Sequence, residues 1–488
     1  RQCEKAMDGK IIIWYIGVAL LLTAGLMGVS GIIACYTPGD ESRVPLLYSA
    51  FVTGTVGGFP LIFVRRGNHR LNFKEGNSIM VGSWLACCLF GMLPFLMFGG
   101  EFSFVDALFE SVSGFTTTGA SILTDIEALP QGLQFWRIAT AWVGGIGIVT
   151  LFSMVMRGGM NKATLSGVEI SDVAREQFRG EKRGFFGSRM LTVYISLTVV
   201  TALCLMLCGM GKFDAVTNAM SACSTCGFCV RNASIAFYNN PAAEAVLSLS
   251  MLAAGMNFSL IFLCFVRGSK VNLRRNGVAK GFLIMVSLAI VVVALDLVFK
   301  GRESVGKSFR LALFQVASIS TTTGFATADT TLWPPLSIMI LCICSLVCGC
   351  SGSTSGGIKF DRIYLAYKSL ISGIKASDSQ NIIRVVRIDG QSRSDKQVRD
   401  CLLFIISYVG IILLFSVLNT AFGLDAVTSY TASAACLGNV GPGFGEVGSM
   451  SNYAAFPVVL KYSSMLEMLL GRLEIFPMLY LIRNLYKS

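Results

Sequence analysis

Long apolar stretches, separated by shorter polar connections, run along almost the whole chain. Six of them approach or exceed the roughly 18 to 20 residues that a helix needs to cross the hydrocarbon core of a membrane, and four weaker stretches bring the predicted spans to about ten. The strong stretches are Ile11 to Ala34, Ile79 to Phe98, Leu191 to Cys208, Ala242 to Val266, Gly281 to Phe299 and Cys401 to Leu418, and the weaker ones are 46–64, 136–156, 335–348 and 454–482. This pattern predicts an all-α integral membrane protein.

The connections between the spans repeat one pattern four times. Asp106 to Gly119 and Asp214 to Gly227 have the same length, and Leu311 to Gly324 is a third copy with Leu in place of Asp. Asp425 to Gly441 is a fourth copy that is three residues longer if Gly441 is the equivalent glycine. Each copy starts with too few helix-compatible residues to cross a membrane and ends in small polar residues whose backbone groups would be unsatisfied against lipid. The pattern predicts four re-entrant segments, each a short helix followed by a strand that lines an aqueous or ion-filled path.

The strand that ends each copy is a candidate ion filter. Backbone carbonyls of four strands around one axis can replace the water that a cation sheds, glycine permits the backbone conformations this requires, and the short helix directs its negative end toward the ion. A polar outer turn would explain a single copy equally well, but not four copies at matching places. The candidate filter residues are Thr116, Thr117, Thr118, Gly119, Ser224, Thr225, Cys226, Gly227, Thr321, Thr322, Thr323, Gly324, Gly438, Asn439, Val440 and Gly441.

The repeat also predicts how the chain is organised around a central pore. Four units, each a helix, a pore loop and a second helix, follow two N-terminal transmembrane helices. The predicted boundaries are 1–75 for the two N-terminal helices, 76–160 for repeat one, 161–275 for repeat two, 276–375 for repeat three with a broken second helix, and 376–488 for repeat four.

The span that starts near Ser337 is interrupted by a segment rich in glycine and serine, 348–359. Each glycine costs a helix about 1 kcal/mol, so the segment predicts a broken helix that faces the permeation path. A glycine-rich connection at the membrane face is the alternative. Lys359 lacks the neighbours that a phosphate-binding loop requires. The residues of this segment that we single out are Gly349, Ser351, Gly352, Ser353, Thr354, Gly356, Gly357 and Lys359.

Arg472 lies within the last apolar stretch, with Glu474 two residues further on. A charge inside the membrane costs at least ~2.5 kcal/mol on insertion scales, so Arg472 is expected to face water or a partner. If the span ends early, the side chain reaches the cytoplasmic surface instead.

Composition and charge place the chain in a membrane and orient it there. Hydrophobic residues make up 53% of the sequence, charged residues only 14%, and the net charge is +12. The basic residues concentrate in the connections 65–74, 157–189, 267–280 and 359–399, whereas 100–135 is acidic and contains no Lys or Arg. By the positive-inside rule the basic connections are cytoplasmic and the repeated segments external, although Lys300, Arg302, Lys307 and Arg310 depart from this pattern. The basic segments are expected to be solvated or to contact lipid headgroups rather than nucleic acid.

Enzymatic and metal-binding functions are disfavoured. Cys223, Cys226 and Cys229 are spaced like part of an iron–sulfur motif, but Ala233 stands where the fourth cysteine would be. The single histidine, His69, lies in a basic connection, and no hydrolase, metalloprotease or Walker motif occurs. We therefore expect neither a catalytic site nor a cofactor nor a structural metal.

These motifs resemble those of the Trk/Ktr/HKT superfamily of potassium transporters, and most of all its bacterial TrkH branch. The resemblance extends over essentially the whole chain and rests on Thr-Thr-Thr-Gly119, Ser-Thr-Thr-Thr-Gly324, Asn439-Val-Gly441-Pro-Gly443, Trp142-Val-Gly-Gly145-Ile-Gly147 and Gly471-Arg-Leu-Glu-Ile475. It implies potassium uptake across the bacterial cytoplasmic membrane through a channel-like pore, with K⁺ held by filter carbonyls. A symporter coupled to Na⁺ or H⁺, or a less selective monovalent cation transporter, is the alternative.

The resemblance also implies roles for individual residues and partners. The filter glycines map to Gly119, Gly227, Gly324 and Gly441, and glycine rather than serine at 119 implies preference for potassium over sodium. The segment 348–359, with the residues singled out above, is implied to be a gate that blocks the pore below the filter. Arg472 is implied to lie beneath the filter as part of this gate. Cys226 and Gly438 depart from the polar residues common in the family. The implied assembly is a homodimer that docks on a ring of TrkA-like nucleotide-binding regulatory subunits.

Overall fold

A computed structural model describes residues 8–64, 72–157, 185–265, 276–301, 304–377, 386–389 and 391–479. His69 and most of the basic connections, at 65–71, 158–184, 266–275 and 378–385, lie outside the described residues. The helices are α1 (Gly9–Tyr36), α2 (Arg43–Phe63), α3 (Phe73–Gly91), α4 (Leu93–Phe98), α5 (Phe104–Phe115), α6 (Gln131–Arg157), α7 (Phe185–Leu207), α8 (Lys212–Ser224), α9 (Pro241–Ala254), α10 (Phe258–Phe265), α11 (Gly277–Phe299), α12 (Val305–Ser320), α13 (Pro335–Val347), α14 (Phe360–Ser377), α15 (Asp395–Ala421), α16 (Ala426–Gly438) and α17 (Val458–Arg472). Two short strands, β1 (Arg387–Ile388) and β2 (Gln391–Ser392), pair in antiparallel fashion.

The predicted all-α membrane fold is confirmed. Within the described residues, six helices are long and apolar enough to cross a membrane, or seven if α9 and α10 count as one span. The weaker predicted stretch 46–64 falls in α2, which is one of the six. The other weaker stretches correspond to α6, which has 27 residues, and to α13 and α17, which have 13 and 15.

One predicted span is not a continuous helix. The stretch from Ala242 to Val266 was expected to form a single helix, but α9 and α10 meet at an angle of 108°. The Asn257 side chain stabilises the break, because its Oδ1 accepts hydrogen bonds from the backbone amides of Ser259 and Leu260 at the start of α10. The bend turns the second helix of repeat two toward the glycine-rich segment of repeat three.

The two N-terminal helices pack on each other and on repeat one. Glycines allow this, since a Cβ atom at Gly17 would lie 2.7 Å from the carbonyl oxygen of Gly57. Helix α1 also contacts α3 and α6. The pair is therefore peripheral to the centre of the molecule.

The four short helices α5, α8, α12 and α16 lie at the centre, and most of their residues are buried. Each packs against a helix of the preceding repeat: α8 against α6, α12 against α9, α16 against α13, and α5 against α17 of repeat four. These contacts link the four units in chain order and close the ring between the fourth and the first.

Candidate functional site

The four candidate filter strands share one backbone conformation. The residue two positions before each glycine is left-handed, with φ values of 54°, 55°, 59° and 52° at Thr117, Thr225, Thr322 and Asn439. The glycines that follow have φ values of 81°, 82°, 82° and 89° at Gly119, Gly227, Gly324 and Gly441. Non-glycine residues seldom adopt this region, so its recurrence at one position in all four copies aligns Gly441 with the other glycines.

The fourth copy has no insertion in this alignment. Helices α5, α8 and α16 each begin fifteen residues before their glycine. Asp425 is the N-cap of α16 and corresponds to Ser103, the N-cap of α5, rather than to Asp106. The three extra residues expected from the sequence arose because Asp425 was matched with Asp106.

The glycines pack against the neighbouring strands in a closed cycle. A Cβ atom added to any one of them would clash with a carbonyl oxygen of the next repeat. The distances would be 1.8 Å from Gly119 to the Cys226 oxygen, 2.1 Å from Gly227 to Thr323, 2.3 Å from Gly324 to Val440 and 2.6 Å from Gly441 to Thr118. The four strands therefore converge on one axis, and only glycine fits at these positions.

The carbonyl oxygens that the glycines approach have no hydrogen-bond donors among the described residues. The amides of Thr118, Cys226, Thr323 and Val440 donate to carbonyls five residues earlier, at 2.8 to 3.1 Å. Their own carbonyl oxygens accept no hydrogen bond from the described residues, although these residues are buried. Buried carbonyls normally have a partner, and a ring of such oxygens can coordinate a dehydrated monovalent cation.

Side chains hold the strands differently in alternate repeats. In repeats one and three, hydroxyl pairs 2.8 Å apart join Thr116 to Thr118 and Thr321 to Thr323. Cys226 and Gly438 remove the equivalent pair from repeats two and four. In repeat four the Asn439 side chain donates instead to the Thr118 hydroxyl at 2.9 Å, which ties the fourth strand to the first.

Buried ion pairs support the ring, and sequence reasoning missed them. Glu110 of α5 is paired with Arg137 of α6, and both side chains are almost completely buried. Arg137 also donates to the carbonyl oxygen of Cys229 in repeat two, at 3.0 Å. The signal was present, because Arg137 is an ionisable residue within the apolar stretch 136–156. Similar pairs connect Arg310 with Glu244 and Lys461 with Asp106.

On the outer side, acidic loop residues connect repeats one and two. Asn232 donates to the carboxylate of Asp125 at 2.8 Å, and this hydrogen bond lowers the pKa of Asp125. Arg231 bridges Glu127 and Asp214. The acidic segment identified in the sequence thus links repeats one and two.

The candidate gate segment, 348–359, lies directly below the candidate filter. It is irregular between α13 and α14, and all of it is buried except half-buried Gly352. The Ser355 hydroxyl donates to the Thr321 carbonyl at 2.9 Å, and the Gly356 amide donates to the Thr322 hydroxyl at 3.1 Å. Thr354 donates to the Cys223 carbonyl at 3.1 Å. These contacts contradict the alternative of a connection at the membrane face.

The bend between α9 and α10 holds this segment in place. The Cys350 amide donates to the Gly255 carbonyl at 2.8 Å, and the Phe258 amide donates to the Gly352 carbonyl at 3.0 Å. The Asn257 side chain donates to the Ser351 carbonyl at 2.7 Å. The break in the second helix of repeat two therefore binds the irregular segment that breaks the second helix of repeat three.

Arg472 is buried beneath the same segment. Only 3% of the residue is exposed, and its guanidinium donates to the carbonyls of Thr354 at 2.6 Å and Gly144 at 3.1 Å. The alternative in which Arg472 reaches the cytoplasmic surface is wrong. The carboxylate of Glu474, two residues further on, pairs with Arg362 at 2.9 Å. Lys359 is also buried and has a φ of 76°.

Known proteins resemble this chain over nearly its full length. The model of the TrkH family, described as "Cation transport protein", matches residues 48–488. The Trk system potassium uptake protein TrkH of Halomonas elongata is 31% identical over 89% of this chain and 91% of its own length. That of Vibrio parahaemolyticus is 30% identical over 98% and 99%. The crystal structure of the potassium transporter TrkH from Vibrio parahaemolyticus superposes with a TM-score of 0.87 at 29% identity, covering 97% of this chain and 98% of that one.

These matches assign the chain to transport rather than to catalysis, and to the inner membrane of bacteria as a multi-pass protein. The family model, the similarity to the Halomonas relative and the match to the crystal structure agree with the helical membrane fold. The chain therefore belongs to the TrkH family of cation transport proteins.

Proposed function

We propose that this protein mediates potassium uptake through a central pore in which the four candidate filter strands coordinate the ion. The observation that carries the proposal is the cycle of glycine-to-carbonyl contacts that runs from Gly119 through Gly227 and Gly324 to Gly441. Relatives named as potassium uptake proteins, and a similar crystal structure titled as a potassium transporter, support the choice of ion. No resident cofactor is part of the proposal, and K⁺ is the transported ion.

Purified protein in liposomes tests the proposal. We expect ⁸⁶Rb⁺ uptake that external K⁺ inhibits and that equal Na⁺ does not, because carbonyl rings favour the larger cation. Equal inhibition by Na⁺ would indicate a less selective cation transporter. Lack of any uptake by folded protein, with or without the regulatory subunit proposed below, would contradict the proposed function.

A channel and a coupled symporter differ in electrical behaviour. Continuous carbonyl-lined strands favour channel-like flux, whereas a carrier binds its ions between moving repeats. In single-channel recordings we expect discrete openings that reverse at the K⁺ equilibrium potential. A reversal potential that also follows the Na⁺ or H⁺ gradient would support the symporter.

We infer that the segment 348–359 and Arg472 form an intramembrane gate. The segment lies against Thr321 and Thr322 at the inner end of the third strand. Arg472 connects it to repeat one by donating hydrogen bonds to the carbonyls of both Thr354 and Gly144. A fixed positive charge below the strands also raises the barrier for cations. Opening requires the segment to move away from the axis, with Arg472 releasing Thr354.

Arg472→Gln is expected to increase basal ⁸⁶Rb⁺ uptake roughly tenfold, because it removes the positive charge and at least one charge-assisted hydrogen bond worth about 1.5 to 3 kcal/mol. Arg472→Lys keeps the charge and serves as the matched variant, with uptake close to that of the native protein. Uptake should be compared at equal amounts of folded protein in the liposomes. An unchanged or lower rate in Arg472→Gln would contradict the gate.

We further infer that the protein works as a homodimer controlled by a ring of TrkA-like nucleotide-binding subunits. Relatives are named as components of a Trk system, and the cytoplasmic segment after α14 is basic, with Arg387, Arg393, Lys396 and Arg399 in its described part. Lipid headgroups would share this basic surface, whereas nucleic acid is not expected. Affinity purification from native membranes should recover a soluble nucleotide-binding partner, and recovery of the transporter alone would contradict this inference.

A further inference from the structure

Helix α17 of repeat four carries a buried carboxyl group that differs from every other one. Six carboxyl side chains are buried among the described residues, and five of them accept a hydrogen bond from at least one N–H group. Those five are Asp40 and Glu75, bound by backbone amides, Glu110 and Glu244, paired with Arg137 and Arg310, and Asp296, bound by the Ser337 amide. The sixth, Glu467, is completely buried, and its only hydrogen bond among the described residues is with the hydroxyl of Ser433 on α16.

The surroundings of Glu467 do not stabilise a negative charge. Its second oxygen, Oε2, has no hydrogen-bond partner among the described residues. The hydroxyl of Ser463, one turn earlier on the same helix face, is also buried without a partner among the described residues. An ionised carboxylate with a single hydroxyl donor is strongly disfavoured in an apolar interior, whereas a neutral carboxylic acid is tolerated.

The hydrogen bonds around Ser433 favour the neutral acid as well. The Ser433 hydroxyl lies 3.2 Å from the carbonyl oxygen of Ile412 on α15, which also accepts the Ser416 hydroxyl, and it lies within hydrogen-bonding distance of Glu467. A serine hydroxyl has only one proton to donate. If Glu467 is protonated it donates to Ser433, and Ser433 is then free to donate to Ile412. If Glu467 is ionised, only one of these two bonds can form.

In the described part of the chain, the ionisable groups on the surrounding helices supply no counter-charge to Glu467. On α5 and α17, Asp106 pairs with Lys461, Glu110 pairs with Arg137, and Arg472 binds the carbonyls of Thr354 and Gly144. The other titratable groups near the carboxyl are neutral when protonated: Tyr408 of α15, Cys436 of α16 and Tyr453 of the segment after the fourth strand.

We propose that Glu467 is a proton-binding site inside the membrane, where the protonated carboxyl joins α16 to α15 and α17. Helix α16 leads directly into the fourth candidate filter strand, and the Tyr453 hydroxyl, which lies 3.9 Å from the Cys436 sulfur, donates to the Gly441 carbonyl at 2.9 Å. Loss of the proton at alkaline pH breaks the link from Glu467 through Ser433 to Ile412 and places a negative charge behind that strand. Ion flux then falls as the pH rises. The proton site stands on its own geometry, and only its effect on flux rests on the proposed function.

Infrared spectroscopy tests the proton site without reference to transport. The spectrum of Glu467→Gln is subtracted from that of the native protein at neutral pH. The difference should contain the carbonyl band of a protonated carboxylic acid, and this band should shift in deuterated water if the proton exchanges. Titration to alkaline pH should remove the band as a carboxylate band grows. A difference spectrum with carboxylate bands alone at neutral pH would overturn the proposal.

Uptake of ⁸⁶Rb⁺ as a function of pH tests the consequence for flux. Glutamine has the size of the protonated acid and can donate to Ser433, so Glu467→Gln should keep the native rate at neutral pH. It should also lose at least half of the alkaline decline. Tyr408→Phe removes a neighbouring titratable hydroxyl and should keep the decline. An alkaline decline that persists in Glu467→Gln and disappears in Tyr408→Phe would overturn the assigned effect while leaving the infrared result to decide the proton site.

Discussion

Replacing Gly119 with serine is expected to lower ⁸⁶Rb⁺ uptake at least about tenfold and to abolish the preference for Rb⁺ over Na⁺. Serine at this position places a Cβ atom 1.8 Å from the Cys226 carbonyl oxygen, so one strand has to move. A residue with a side chain also costs about 1 to 2 kcal/mol in the left-handed region, where Gly119 has a φ of 81°. Tenfold corresponds to about 1.4 kcal/mol, which is within these penalties.

Selectivity should fall together with the rate. Displacement of the first or second strand widens the ring on one side, so its oxygens no longer fit the larger ion better than the smaller one. Parallel ⁸⁶Rb⁺ and ²²Na⁺ uptake into liposomes measures both effects. Gly410→Ser is the matched control, because Gly410 lies in α15 and a Cβ there meets no atom within 4 Å. An unchanged Rb⁺ to Na⁺ ratio in folded Gly119→Ser would exclude Gly119 from the filter.

Local features of the site could be predicted from sequence because they depend on few residues. A helix too short to span, followed by small polar residues and glycine, has few ways to satisfy its backbone inside a membrane, and the four short helices lie where the repeats placed them. The shared aspartates were less informative. Asp425 caps α16, whereas Asp106 pairs with Lys461 and Asp214 with Arg231. One residue type at one apparent position thus has different roles.

Features that depend on distant parts of the chain could not be predicted. Average hydropathy hides the bend between α9 and α10, although Gly255 and Asn257 interrupt that stretch, because the bend is held by contacts with the segment 348–359. The location of Arg472 was left open for the same reason, since its partners Thr354 and Gly144 belong to repeats three and one. The unpaired state of Glu467 likewise depends on which side chains three separate helices direct toward it.

Arg137→Met is expected to destabilise the folded protein by about 3 to 5 kcal/mol and to abolish most ion flux. The substitution leaves the Glu110 carboxylate buried without its counter-charge, which is the costly way to break such a pair. It also removes the bond to the Cys229 carbonyl, which connects α6 to the end of the second strand. Thermal unfolding in detergent and ⁸⁶Rb⁺ uptake measure the two effects.

Two further variants separate loss of the charge pair from loss of the side chain. Glu110→Gln combined with Arg137→Met removes both charges, so it should recover a large part of the stability but not the contact with Cys229. Glu127→Gln breaks the pair with Arg231. The Glu127 side chain is 37% exposed and that of Arg231 is 32% exposed. Such an exposed pair contributes only about 0 to 1 kcal/mol to the stability of the fold. If Arg137→Met unfolded at the same temperature as Glu127→Gln, the buried pair would not be what holds repeats one and two together. Stability recovered without flux in the double variant would instead assign to Arg137 a separate role in positioning the second strand.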